Sequence, residues 1–91
     1  MITCLYKKTF LSDLARLPKR YRVRIERLVF HEVPQLDDLF AQLDIKKMKG
    51  YQSYYRIMVG DYRIGCKVEH GNQVVFYRVK SRADIYKLFP E

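Results

Sequence analysis

The spacing of apolar positions divides this chain into a helical half and an alternating half. Residues 2–6, ITCLY, are β-branched and aromatic and predict a first strand. The period then lengthens. Phe10, Leu14 and Leu17 share one face of a helix over Phe10–Leu17, with Thr9 placed to cap it. Pro18 ends that helix, and a second one is predicted from Lys19 to Val33. Its apolar stripe is Tyr21, Ile25, Leu28 and Val29, while Arg20, Arg24 and Arg27 line the opposite side. The tight Leu17-Pro18 corner folds the two into a helical hairpin, and Pro34 closes it.

Residues 35–45 hold at most one helical turn. From Lys46 the pattern alternates. Lys46–Lys49 reads as a strand start, and Tyr54–Val59, Tyr62–Glu69 and Gln73–Val79 read as three further strands. Gly60-Asp61 and Gly71-Asn72 are two-residue hairpin turns. The tail, Arg82 to Phe89, is a short helical turn or coil. The order predicts an α+β domain: an N-terminal strand and a two-helix hairpin, packed on one face of a four- to five-stranded, mainly antiparallel sheet.

The turns also fix a register. If Gly60-Asp61 are turn residues, Val59 faces Tyr62, Ile57 faces Ile64 and Tyr55 faces Cys66, all on the core side. If Gly71-Asn72 are, Val68 faces Val75, Cys66 faces Tyr77 and Ile64 faces Val79. The other side then gathers Arg56, Arg63, Lys67, Arg78 and Lys80 around Gly65. A floor with no side chain, ringed by cations, would admit a phosphodiester close to the sheet. A slip of one residue would send each of these groups to the opposite face.

Charge sharpens this picture. The chain has 91 residues, with 18 Lys plus Arg against 10 Asp plus Glu and a net charge of +8. Residues 1–45 carry 8 basic and 6 acidic side chains; residues 46–91 carry 10 and 4. A cationic half on a balanced scaffold points to a polyanion, with nucleic acid first. The length fits a single domain over residues 1–91. Cys4 and Cys66 lack metal or redox spacing and read as small buried hydrophobes. The absence of a signal-peptide core, a membrane span or an amphipathic anchor leads to the expectation of a cytosolic protein without membrane contact. There is no HExxH, no phosphate-binding loop and no His/Cys cluster, so neither metal nor cofactor is expected. His31 and His70 read as surface residues, and no paired carboxylates stand out.

Residues 48–86, MKGYQSYYRIMVGDYRIGCKVEHGNQVVFYRVKSRADIY, resemble the C-terminal half of the RelE/ParE toxin superfamily. The resemblance rests on Lys49-Gly50, on Tyr55 to Arg63, on the strand Gln73 to Val79, and on Arg82 to Tyr86. It implies a RelE-like fold, a partner antitoxin, and an open sheet face that meets messenger and ribosomal RNA. RelE-type members cleave the messenger in the ribosomal A site. The corresponding catalytic residues are Arg56, Arg63, Arg82 and Tyr86. On this reading Arg63 and Arg82 clamp the scissile phosphate, Arg56 helps position it, and Tyr86 stacks on a base. Lys46, Lys47, Lys49, Lys67, Arg78 and Lys80 would bind RNA. Lys46, Lys47 and Lys49, with Arg20, Arg22, Arg24 and Arg27, are the candidates for ribosomal contact.

Cleavage of RNA without metal requires removal of the 2′-OH proton, stabilisation of charge on phosphorus and protonation of the leaving 5′-oxygen. Some family members carry a lysine, a proposed base, where this chain has Met58, and others have Gly-His where it has Lys80-Ser81. That leaves Lys80 or Arg56 as stand-ins. Two other readings share the scaffold: a ParE-like inhibitor of DNA gyrase, and an RNA-binding module without toxicity.

Overall fold

The computed structural model describes residues 1–90. Strand β1 (Thr3–Tyr6) leads into helix α1 (Lys8–Ala15) and helix α2 (Lys19–Glu26). The latter runs on through a π-helical turn, Arg27–Glu32, and a 3₁₀ turn, Val33–Gln35. Short helix α3 (Leu39–Gln42) precedes four strands: β2 (Ile45–Lys47), β3 (Tyr54–Val59), β4 (Tyr62–Glu69) and β5 (Gln73–Ser81). Helix α4 (Ile85–Leu88) ends the chain. The sheet order is β1-β5-β4-β3-β2, antiparallel except for β1 against β5. The expected α+β architecture is the one observed.

The main core lies between the helices and one sheet face. Phe10, Leu14, Ile25, Val29 and Val33 meet Ile57, Ile64, Cys66, Val74, Phe76 and Val79, all buried. Widening of the second helix follows from the four-residue spacing of Ile25, Val29 and Val33. At 3.6 residues per turn that row drifts off the sheet, and a π turn brings it back. The second helix is therefore not one regular α-helix to Val33, as the stripe suggested. Pro34 follows at once and caps the distortion.

Two boundaries near the N-terminus also differ. Helix α1 starts at Lys8, and Thr9 is no cap: its hydroxyl donates to the Tyr77 carbonyl at 2.9 Å. Strand β1 pairs only with residues 73–76 of β5, leaving the rest of that edge open. Helix α1 takes over there. The Lys7 N–H donates to the Phe76 carbonyl, Thr9 donates to Tyr77, and the Asp13 carboxylate accepts from the Val79 N–H. The β5 backbone beyond β1 is thus met by the Lys7 amide and by the Thr9 and Asp13 side chains rather than by a strand. At α3 the cap is regular, with Asp38 accepting from the Phe40 and Ala41 N–H groups.

The β3–β4 register is as expected, from Tyr54 opposite Lys67 to Val59 opposite Tyr62. The β4–β5 register is as expected only in its second half, where Ile64 meets Val79, Gly65 meets Arg78 and Arg63 meets Lys80. Near the turn, Val68 pairs with Val74 and Cys66 with Phe76. The loop there has three residues, His70, Gly71 and Asn72, with positive φ at His70 (56°) and Gly71 (73°). A bulge opposite Gly65/Cys66 then absorbs Tyr77 and restores the register. Val75 and Tyr77 therefore do not face the main core, and Phe76 does. Burial of the larger purely apolar ring stabilises this solution.

Candidate RNA-binding face

The sheet face away from the α1–α2 hairpin carries Tyr54, Arg56 and Met58 on β3, Arg63, Gly65 and Lys67 on β4, and Tyr77, Arg78 and Lys80 on β5. Alternation places them there, and the bulge turns Tyr77 and Arg78 to the same side. The face is not bare at its centre. A second small cluster of Met48, Ile85 and Phe89, with Tyr54 and Tyr77 against it, lies across it. Gly65 is the floor of that cluster: a Cβ there would stand 2.5 Å from the Phe89 ring. The glycine does admit a close approach, but of the tail's own phenylalanine rather than an open phosphate seat. The cations of this face lie to the flanks of the cluster.

On one flank lie Arg56 and Tyr86. The Arg56 guanidinium stands over the Tyr86 ring at 5.5 Å, and its Nε is buried with no hydrogen-bond partner among the described residues. Tyr86, on α4, is 51% exposed, so one ring face remains open to a ligand. Arg63 and Arg82 gather at the Gly60-Asp61 turn. Arg63 donates to the carbonyls of Gly60 (2.7 Å) and Tyr62 (3.0 Å), and the Arg82 N–H donates to the Asp61 carbonyl (2.9 Å). The Arg82 side chain is exposed and makes no ion pair among the described residues. Asp84, two residues further on, pairs with Lys87.

On the other flank the cations are held by an acid that sequence reasoning passed over. Asp13 is 4% exposed and accepts from Arg78 Nε at 2.7 Å and Nη2 at 3.1 Å, with Lys80 Nζ at 3.2 Å. Burial by itself would raise this carboxyl. Hydrogen bonds from Arg78, Lys80 and the Val79 N–H outweigh it and hold the group below its ordinary range. The signal was present, because Asp13 lies three residues after Phe10 on the apolar stripe of α1. An acid there needs a buried cation. Arg78 and Lys80 accordingly help to hold α1 to the sheet.

The remaining lysines are spread out. Lys46 is exposed opposite Arg56 on the same face, whereas Lys47 pairs with Tyr55 and lies on the other side of β2. Lys49 is exposed in the following turn. Lys67 reaches Glu69 at 3.8 Å and stands 5.8 Å from the Tyr54 ring. His31 and His70 are exposed. Cys66 is buried and Cys4 half-buried, both as free thiols, and burial raises both. No grouping of three or more His, Cys, Asp or Glu suited to a metal occurs among the described residues. None of their helices is long and apolar enough to cross a membrane.

Comparison with known proteins places this geometry in context. The family described as the ParE toxin of the type II toxin-antitoxin system, parDE, matches residues 5–86. Toxin RelE3 of Methanocaldococcus jannaschii is 48% identical over 89 residues, 94% of this chain and 97% of that protein. The RelB-RelE antitoxin-toxin complex from Methanococcus jannaschii superposes with a TM-score of 0.76 at 46% identity, covering 94% of this chain and 99% of the other. The RelBE2 toxin-antitoxin complex of Mycobacterium tuberculosis shares the fold, with a TM-score of 0.68 at 22% identity over 89% of this chain and 98% of the other.

Proposed function

Because the chain belongs to the RelE/ParE family of type II toxins, as a RelE-type member, we propose that it cleaves messenger RNA in the ribosomal A site. The reaction is attack of the messenger's own 2′-OH on the adjacent phosphate, without metal. A P–O bond forms to the 2′-oxygen, and the bond to the 5′-oxygen breaks. The 2′-OH proton is lost and one is delivered to the leaving oxygen. A 2′,3′-cyclic phosphate and a free 5′-OH result.

The observation that supports this reading is the Arg56–Tyr86 pair, a buried unpartnered guanidinium Nε beside an exposed ring. A base stacks on Tyr86 while its phosphate takes the guanidinium donors. Arg63 and Arg82 hold the scissile phosphate and stabilise its growing negative charge. Guanidinium groups stay protonated and supply charge, not a base. With Met58 unable to take a proton and Lys80 bound to Asp13, Tyr86 is the one member of the set able to pass a proton. The rate then comes chiefly from in-line positioning on the ribosome and from charge.

An antitoxin partner follows from family membership, and the structural relatives that carry RelB with RelE support it. Its cationic face gives an acidic antitoxin a complementary surface. The site of action is the cytosol, where ribosomes are. Primer extension on messengers, with and without ribosomes, tests the proposal. The expected result is cutting only with ribosomes, lost by at least about 100-fold in Arg82→Ala. Intact messengers with a DNA-damage response would instead make the chain a gyrase inhibitor.

A further inference from the structure

A second aromatic site lies on the same face, across the tail from Tyr86. Tyr54 and Tyr77 stand edge to face at 6.0 Å, and Phe89 lies 5.6 Å from each. With Thr9, Arg78 and Leu88 they line a pocket of about 260 Å³. That is below the usual range for drug-sized ligands and suits one planar heterocycle. Two cations stand at its rim. Lys7 Nζ is 5.2 Å from the Tyr77 ring centroid and Lys67 Nζ is 5.8 Å from that of Tyr54. Arg78 is held in place by Asp13, so that wall is rigid.

We infer that this pocket is a second nucleobase subsite, taking the base next to the one on Tyr86 in a single-stranded RNA. The inference rests on the RNA-cleaving reading for the position of that strand. Aromatic walls flanked by lysines are the arrangement that single-stranded nucleic acid uses: rings take bases and cations take the phosphates on either side. An apolar protein segment would bring no counter-charge to the Lys7 ammonium, which makes no ion pair among the described residues. Continuity also favours RNA. Tyr54 precedes Arg56 by two residues on β3, about 7 Å along the strand, which places the pocket one nucleotide step from the Arg56–Tyr86 flank. Burial pushes the Tyr77 phenol up, so it stays a neutral donor able to meet a base edge. The bulge has a use on this account: it delivers Tyr77 to the open face while Phe76 stays in the core.

The chain contains no tryptophan, so Tyr54→Trp provides a reporter inside the pocket. Labelled 2′-O-methyl tetranucleotides, which cannot cleave themselves, are compared with versions lacking one base in turn. One abasic position should weaken wild-type binding about tenfold and abolish quenching of the Tyr54→Trp emission. Tyr77→Leu should bind the intact and that abasic RNA equally, while Arg82→Ala should weaken both in proportion. Lys7→Gln, at an exposed position, should lower the salt slope of binding by about one. The subsite is overturned if no abasic position costs wild type more than twofold. It is equally overturned if the tryptophan responds the same to intact and abasic RNA. Base-dependent quenching with no ribosomal cleavage would sink the nuclease reading alone, and cleavage without such quenching would sink the pocket alone.

Discussion

Asp13 and Gly65 are the two residues on which the candidate face most depends. Asp13 closes the unpaired edge of β5 and neutralises two cations from a nearly water-free position. Removing its charge takes from Arg78 and Lys80 the carboxylate they share. Asp13→Asn should therefore cost about 3 kcal/mol at neutral pH, read by urea unfolding. The pH dependence has a definite sign. The carboxyl is depressed in the folded chain, so its stabilisation is fully present above the unfolded carboxyl range, about pH 4. It is lost as pH falls through the lower folded value. The wild type should lose stability between pH 4 and 2 more steeply than Asp13→Asn, and equal slopes would contradict this account. Gly65 has a steric role. Gly65→Ala places a carbon 2.5 Å from the Phe89 ring, and the tail must shift. The expected cost is about 1–3 kcal/mol, with faster proteolysis beyond Ser81.

At the scale of elements, the tail behaves as a small separate layer. Only Met48, Ile85 and Phe89 are buried there, and α4 is four residues long. Phe89→Ala should accelerate amide exchange in Ile85–Leu88 on the order of 100-fold while the amides of β4 stay protected. Exchange that rises equally in both would mean one cooperative unit. This layer was the least legible part of the sequence. Strands β3 and β4 could be read with their register, because Gly60-Asp61 is a two-residue turn flanked by matched apolar positions. Burial of Phe10, Leu14, Ile25 and Val29 followed from helical spacing. The β4–β5 register was half legible. His70 entering positive φ lengthens the loop by one residue, and nothing local to the sequence announces the bulge that restores it. Phe89 on Gly65 joins residues 24 positions apart through a tail with no periodicity. Alternation could place the cations on one face but could not show that Asp13 withdraws two of them.

For the whole molecule, charge divides by surface. The open sheet face presents Arg56, Arg63, Arg82, Lys46 and Lys67, while the outer face of α2 and its continuation presents Arg20, Arg24 and Arg27 beside a cleft of about 410 Å³. No base-stacking ring faces that cleft; its apolar walls are Val23, Leu28, Leu43, Ile57, Met58 and Val59. Arg20 stands over the Tyr21 ring at 5.0 Å, outside the cleft lining, and cations that meet only phosphates position a polyanion without reading its bases. Under the proposed function the labour would divide, the sheet face engaging a short single strand and the helix face a larger body. Replacing Arg20, Arg24 and Arg27 together by Gln touches exposed side chains and should change stability by less than about 1 kcal/mol. Affinity for a tetranucleotide should stay within about twofold of wild type. Ribosome association should weaken, its slope against the logarithm of salt falling by about two to three as those phosphate contacts are lost. Filter binding to ribosomes between 50 and 200 mM salt and anisotropy with the tetranucleotide measure the two arms. If the triple variant loses tetranucleotide affinity to the same degree as ribosome affinity, the two surfaces act as one continuous field and the division fails.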